Sequence, residues 1–349
     1  MKQIQNNITI PANLKINIID IGARWGINPP WNNVNKEIIN YYGFEPDIIE
    51  CNKLNILHKG KNIKYFPIAL SDKDSIATLH VTNEPGSSSL LKPNLKLLEK
   101  FYLSNNWGIS KEVNIETTKL SNILFENKIN PEFIKIDVQG LAFEVLKGMG
   151  DNHISNSLFF EIECEYNEMY CNQYLFNSIF DLMNKNGFIL IDVCNYHAKN
   201  KILPKGHSTK GQLMFADTFY IKNVDLFYLD SNILNENFPE RVWKIITILA
   251  IYGYYDIALE FALHIKSPLS TKEKANLKKE ILYLTKISTY KLILFNNIFV
   301  EKLGRFISLL GNSLQIKSRT FGWFSEKNSI NSRFKNDFKF KVYSYLFRK

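Results

Sequence analysis

The sequence predicts an α/β protein: a doubly wound, mostly parallel seven-stranded sheet followed by a helical C-terminal region. Three observations carry that expectation. Short apolar runs alternate with helix-period segments through the first two-thirds of the chain, the pattern of parallel strands joined by crossover helices. The first such run, Ile18-Ile19-Asp20-Ile21-Gly22, exits into an acid and a glycine, as a strand does when it ends at a ligand crevice. Beyond about residue 225 the strand-like runs stop, and apolar residues recur at helical spacing.

Taken in order, the strands are expected at Lys15–Asp20, Tyr41–Glu45, Ile63–Ala69, Phe133–Asp137, Leu158–Glu163, Phe188–Val193 and Leu213–Ile221. Ser75–Val81 alternates polar and apolar residues and reads as a half-exposed extra strand. Helices are expected at Trp31–Asn40, Ile48–Leu57, Leu120–Asn127, Leu141–Lys147 and Tyr174–Lys185, with Gly187 ending the last in a left-handed conformation. Arg241–Ala250 and Asp256–Ile265, split by Gly253, form an expected αα-hairpin with Asp256 as the cap of its second helix. A further amphipathic helix is expected through Leu292–Leu310. The organisation is therefore a domain over 1–225, a helical region over 226–315 and a basic aromatic tail over 316–349.

Composition narrows the class of partner. The 349 residues carry a formal net charge of +9. Residues 301–349 hold eleven Lys/Arg against three Asp/Glu, so the remainder is close to neutral. The basic character belongs to the tail, which could meet a peripheral membrane face, a polyanion or a protein, and the near-neutral main domain argues against nucleic acid. Cys51, Cys164, Cys171 and Cys194 form no C-x-x-C pair and accompany six histidines, which speaks against a zinc site or disulfide framework and fits a reducing cytoplasm. No signal-like N-terminus is evident, and the longest uncharged apolar stretch, Ile245 to Tyr255, is too short to span a bilayer.

Two strand exits define the expected cofactor site. Gly22 and Gly26 let the backbone approach a ligand that a Cβ would block, and Glu45 closes the second strand, where a carboxylate can accept both hydroxyls of a ribose. A dinucleotide prefers a third glycine and a helix N-terminus for its pyrophosphate, but Pro29-Pro30 would delay that helix. S-adenosylmethionine has no phosphate and carries a cationic sulfonium, which suits Asp20. The balance favours S-adenosylmethionine over a nicotinamide dinucleotide.

In order along residues 15–222, Asp20-Ile21-Gly22-Ala23, Gly43-Phe44-Glu45-Pro46, Ala69-Leu70-Ser71-Asp72, Pro85-Gly86-Ser87-Ser88-Ser89-Leu90, Lys135-Ile136-Asp137-Val138-Gln139-Gly140, Glu144-Val145-Leu146-Lys147-Gly148, Glu161-Ile162-Glu163-Cys164-Glu165 and Gly211 through Tyr220 resemble the FkbM-type methyltransferases. The resemblance implies a Rossmann-like sheet of the class I methyltransferase type and transfer of a methyl group from S-adenosylmethionine to a hydroxyl of a sugar or other natural product. It places Asp20, Gly22 and Gly26 around the methionine part, Glu45 on the ribose, Asp72 near the adenine and Asp137 nearest the reacting centre. Two departures stand out. Arg24-Trp25 replaces the family's Asn after Gly-Ala, and Gln139 and Ala142 replace both glutamates of its I-D-V-E-G-A-E pattern.

Methyl transfer to oxygen needs positioning and removal of the hydroxyl proton. Asp137 is the first candidate for base or substrate contact, with a structural helix cap as its alternative. Glu161, Glu163 and Glu165 share one face of a strand, where burial unpaired would be costly, so at least one should reach the crevice. A divalent metal on Asp137 and one of these glutamates is chemically reasonable but not the favoured reading. Ser87, Ser88 and Ser89 could bind a ligand or cap a helix. His153 and His197 fit surface loops better than catalysis, and Tyr166 and Tyr170 could line a sugar pocket or pack in the core.

The crevice points to S-adenosylmethionine, and the resemblance implies a cytoplasmic O-methyltransferase acting on a sugar hydroxyl of a glycan or its precursor. The competing expectation is a catalytically silent descendant that recruits a partner through its helical, basic C-terminus, motivated by Gln139 and Ala142.

Overall fold

The computed structural model describes residues 8–60, 62–102, 104–229, 237–285 and 323–325. The strands are β1 (Ile16–Ile21), β2 (Ile39–Phe44), β3 (Ile63–Phe66), β4 (Ala69–Leu70), β5 (Ser75–Thr82), β6 (Ile109–Thr118), β7 (Phe133–Ile136), β8 (Phe159–Glu165), β9 (Phe188–Ala198), β10 (Gln212–Lys222) and β11 (Trp323–Ser325). The helices are α1 (Ile48–Leu57), α2 (Leu95–Leu98), α3 (Leu120–Glu126), α4 (Ala142–Met149), α5 (Asp151–Asn156), α6 (Phe176–Lys185), α7 (Val224–Leu229), α8 (Phe238–Tyr252), α9 (Tyr255–Leu263) and α10 (Thr271–Thr285).

The main sheet runs β3-β2-β1-β7-β8-β10-β9, with β11 added at the β9 edge. The pairs among β3, β2, β1, β7 and β8 are parallel, whereas β10 is antiparallel to both neighbours. This is the mostly parallel seven-stranded sheet expected from the sequence. Strand order reverses between β1 and β7, so the crevice for a ligand lies beyond the carboxyl ends of those two strands.

Period-two alternation divides each strand between two cores. Ile19, Ile21, Ile134, Ile136, Phe160 and Ile162 face α3, α4, α5 and α6. Ile16, Ile18, Phe133 and Phe159 face the other way, toward α1, α8, α9 and α10. The C-terminal hairpin is therefore one wall of the sheet's own core. Gly253 joins its helices in the left-handed region at φ 83°, a conformation that costs glycine little. Asp256 does not cap α9; Tyr254 holds that position, and Asp256 sits in the first turn, where its charge favours the helix dipole.

The expected helix at Trp31–Asn40 is absent. Only two short 3-10 turns, Trp31–Asn33 and Lys36–Ile38, precede β2. Parallel pairing of Ile39 and Asn40 with Ile16 and Asn17 claims the end of the segment for the sheet. The Asn35 side chain accepts from Glu37 N, a local bond that competes with helix. Without a crossover helix after β1, the adjoining surface is filled from the far end of the chain: the Trp31 ring packs 4.9 Å from Phe133, and its Nε1 donates to Tyr252 Oη of α8 at 3.1 Å.

Strand β6 and helix α10 are the longest of the elements that escaped the sequence reading. Strand β6 is polar on most positions because it lies in a small separate sheet, β4-β6-β5, with little apolar cover. Helix α10 buries only Leu277 and Ile281, too few to give a strong period. The expected helix at 292–310 and most of the 316–349 tail lie outside the described residues. A third cluster, comprising Leu98, Phe101, Trp107, Met169, Tyr170, Ala198 and Met214, packs segment 91–108 against β9 and β10, and backbone bonds join it to segment 199–211 as a cap beside the carboxyl end of β8.

Candidate active site

The two-core alternation leaves one sheet face apolar at its amino end and ionisable at its carboxyl end. On that face, Asp20, Lys135 and Glu161 lie side by side on β1, β7 and β8. One step further along, Glu163 pairs across strands with Asp217. Lys135 is the cation among these carboxylates: Nζ donates to Asp137 Oδ2 at 3.1 Å and sits 3.8 Å from Asp20 Oδ1. Burial works against the ammonium charge, but Asp137, Asp20 and Glu161 outweigh it and hold its pKa well above the ordinary lysine value.

The junction of β1 and β7 is set by Gly22. Its φ is +85°, and a Cβ there would lie 1.8 Å from the Asp137 carbonyl oxygen. Asp137 N in turn donates to Ile21 O at 2.9 Å. No side chain larger than hydrogen fits this close approach of two strand exits. Gly26 is also left-handed, at φ +82°, and its missing Cβ leaves room for Leu54 and the Tyr65 hydroxyl. Between them, Trp25 is 65% exposed, with its ring against Gly86 of the 84–90 loop.

Asp20 is buried behind this loop. It accepts from Tyr41 Oη at 2.5 Å, and burial raises its pKa against the opposing pull of Lys135. Glu45, also buried, accepts from Asp47 N at 2.8 Å and lies 3.6 Å from Arg24 Nη1, with both contacts on Oε1. Burial raises the Glu45 pKa, while the Asp47 N–H and Arg24 partly offset it. Arg24 reaches Asp47 as well, at 3.2 Å. The added cation of the loop is thus paired with the protein's own carboxylates. Asp72 stands apart from this group. It follows β4, where Gly148 of α4 permits close contact: a Cβ on Gly148 would lie 2.0 Å from Ser71 O.

Gln139, an apparent loss by sequence, is a bridge in three dimensions. From a left-handed backbone (φ 53°), its Nε2 donates to Asp137 Oδ1 at 3.0 Å and to Glu163 Oε1 at 2.8 Å. Its Oε1 accepts from Tyr170 Oη at 2.9 Å, and its carbonyl accepts from Ser89 Oγ at 2.7 Å. The Tyr170 hydroxyl also lies 2.9 Å from Ser87 O and accepts from Trp107 Nε1, so the cap and the 84–90 loop meet at this hydroxyl. Ser88 Oγ accepts from Thr82 N at 3.2 Å. Each of the three serines therefore ties loop to scaffold.

The three β8 glutamates share a face as expected but differ in surroundings. Burial pushes Glu161 up to about 7 despite Lys135, and Tyr252 Oη donates to its Oε2 at 2.7 Å. Burial, then the charges of Asp137, Glu165 and Asp217, raises Glu163 well above the carboxylate range. Glu165 is pushed up to about 8, again chiefly by burial. Among the described residues, no group of three or more His, Cys, Asp or Glu side chains is arranged to hold a metal ion. The histidines are not in surface loops: His153 lies on α5 and His197 is buried on β9, because the sheet edge extends five residues past the expected Val193. Tyr166 approaches Asn195 at 3.5 Å, and Tyr170 is fully buried as part of the bridge.

No curated protein matches this chain. Among solved structures it is similar to the methyltransferase FkbM of Methylobacillus flagellatus KT, at 15% identity and a TM-score of 0.34, covering 59% of this chain and 43% of that one. The chain thus spans less than half the length of that protein. It is also similar to the magnesium protoporphyrin IX methyltransferase of Synechocystis PCC 6803 with bound SAM, at 11% identity and a TM-score of 0.30, covering 61% and 72% of the two chains. A family model described as the methyltransferase FkbM domain matches residues 20–190, a span that takes in Gly22, Glu45, Asp72, Asp137 and the β8 glutamates. Over residues 20–190, the chain is similar to the methyltransferase FkbM domain family.

Proposed function

We propose that the protein is an S-adenosylmethionine-dependent O-methyltransferase whose acceptor is a sugar hydroxyl of a glycan or glycan precursor. The observation that carries the cofactor is the charge of the crevice: Asp20, Glu45 and Asp137 stand at or just beyond the exits of β1, β2 and β7. That donor set fits a ligand with a sulfonium, an ammonium group and a ribose, and opposes a pyrophosphate. We assign Glu45 Oε2 to the ribose, because the Asp47 N–H and Arg24 contacts both fall on Oε1. Gly22 and Gly26 set the backbone of the loop that borders the methionine part, Asp20 supplies negative potential from behind the loop, and Asp72 serves the adenine end.

When bound, S-adenosylmethionine supplies an activated methyl group that an oxygen nucleophile can take by in-line displacement. The chain's own residues must orient the hydroxyl and receive its proton. Asp137 is the assigned base. Lys135 and Gln139 each hold one of its oxygens, fixing the carboxylate while leaving each oxygen a further lone pair for a substrate hydroxyl. Burial and its acidic neighbours push Glu163 well above the ordinary carboxylate range, and it is assigned to bind the acceptor rather than to accept the proton. Glu161 is engaged by Tyr252 and is assigned to hold the face together rather than to react.

Calorimetric titration with S-adenosylmethionine and S-adenosylhomocysteine, with NAD as control, tests the reading. Binding of the first two alone is expected, and Glu45→Lys should abolish it. Unchanged affinity in that variant would remove the ribose assignment, and binding of NAD alone would replace the cofactor. Asp137→Asn is expected to retain cofactor binding while lowering turnover by roughly 10²–10⁴-fold.

A further inference from the structure

The main domain is close to neutral in sum, but its charges are sorted. Carboxylates crowd the crevice, whereas segments 91–108 and 199–211, which form the cap, hold seven lysines and a single acid, Glu99. Lys92, Lys96, Lys100, Lys201, Lys205 and Lys210 are exposed. The two segments are joined edge to edge: Phe101 bridges to Asn200, Tyr102 N donates to Lys199 O, and Lys201 N donates to Lys100 O. Lys199 and Lys205 place their Nζ atoms 5.6 and 5.7 Å from the centre of the Tyr102 ring, and Tyr102 Oη donates to Leu203 O. Lys199 is fully buried, its Nζ donating to the carbonyls of Pro204 and His207, so the 199–207 turn has a fixed shape. The same cap reaches the candidate active site through Trp107 and Tyr170, which bonds Gln139 beside Asp137.

From this juxtaposition we infer that the acceptor is a phosphate-bearing saccharide, held by the cap lysines through its phosphate while a remote sugar hydroxyl enters the carboxylate-lined crevice. The inference rests on the methyltransferase reading and names the substrate class of that site. Charge explains the division of labour. Like-charge repulsion from the Asp137 carboxylate disfavours a phosphate at the reacting centre, so the anion and the reacting hydroxyl are placed on different parts of one molecule. A lysine rim supplies point charges for phosphate without demanding bidentate geometry. Attraction at the rim also steers an anionic acceptor toward a crevice whose own field would turn it away.

Inorganic pyrophosphate and uridine diphosphate glucose, with glucose as the neutral control, are the probes, titrated into the full chain at low and high salt. Both anions are expected to bind at low salt at least ~10-fold more tightly than glucose and to weaken as salt rises. Lys100, Lys205 and Lys210 replaced together by Glu should lose that preference while S-adenosylmethionine affinity stays within about 2-fold, since exposed charges remote from the cofactor are largely screened. Equal affinity for anion and neutral sugar, or an unaltered preference in the triple variant, would overturn the inference. So would binding confined to phosphatidylglycerol vesicles. A chain that binds neither S-adenosylmethionine nor S-adenosylhomocysteine yet retains the anion preference would instead remove the methyltransferase reading and leave the lysine site standing.

Discussion

Tyr252, near the end of a C-terminal helix, donates its hydroxyl proton to Glu161 at the centre of the sheet across 2.7 Å, and accepts from Trp31 Nε1 at 3.1 Å. One hydroxyl therefore joins the hairpin, the central strand and the turn after β1. Tyr252→Phe leaves a buried carboxylate oxygen and an indole N–H without this partner. A loss of ~1–3 kcal/mol in denaturant unfolding is expected. A double-mutant cycle with Glu161→Gln should show coupling, and additive effects would mean that the contact carries no energy of its own.

The hairpin itself should be indispensable. Ile245, Ile246, Ile248 and Leu249 are fully buried against the sheet. Together they contribute roughly 6–12 kcal/mol of transfer free energy, the scale of a whole domain's net stability. A chain ending after residue 229 is expected to lose near-ultraviolet circular dichroism and expose apolar surface. A cooperative, native-like unfolding transition in that fragment would contradict this.

Gly22→Ala probes the strand junction. The new methyl group would sit 1.8 Å from the Asp137 carbonyl, at a backbone φ of +85°. Destabilisation of at least ~2 kcal/mol is expected from strain and displacement. Gly60 shares a positive φ but has nothing within 4 Å, so Gly60→Ala is the control that isolates the steric part.

The raised carboxylates make a pH signature. Glu161 and Glu165 titrate near 7 and 8 in the folded chain, against an ordinary value of 4.5. Between those limits the unfolded chain loses these protons while the folded chain keeps them. Their stabilisation is present in full below 4.5 and is lost as pH rises through about 8. Glu165→Gln should flatten the decline of stability over this window, as read from urea midpoints at stepped pH. An unchanged slope would assign the decline to other groups.

Arg24 offers a test of the cofactor end. It lies 3.6 Å from Glu45 and 3.2 Å from Asp47. Removing it as Arg24→Ala leaves Glu45 without a competing cation and removes a positive charge near the assigned sulfonium. S-adenosylmethionine is expected to bind a few-fold more tightly, consistent with the small worth of a part-exposed ion pair. Weaker binding would mean that Arg24 holds the Glu45 carboxylate in its useful rotamer.

Much of the scaffold was legible because it depends on local periodicity. Short apolar runs marked the seven strands of the sheet, and α1 begins and ends where expected, with Asp47 accepting from Ile49 N and Glu50 N as its cap. Gly22 and Glu45 were picked out by their strand exits, and Asp137 by its strand exit together with the family resemblance. The missing helix after β1 was not legible, because Trp31–Asn40 has helical spacing of apolar residues. Only pairing with Ile16 and docking on Tyr252 show that its apolar groups serve other partners.

The sequence by itself determined the order of strands and helices and the acids that line their ends, since those depend on neighbours a few residues apart. Tertiary structure decided which charges meet. Lys135 lies between Asp20 and Glu161, Gln139 spans Asp137 and Glu163, and the cap lysines assemble from segments a hundred residues apart. Charge and burial act through distance in space, and only the folded chain sets those distances.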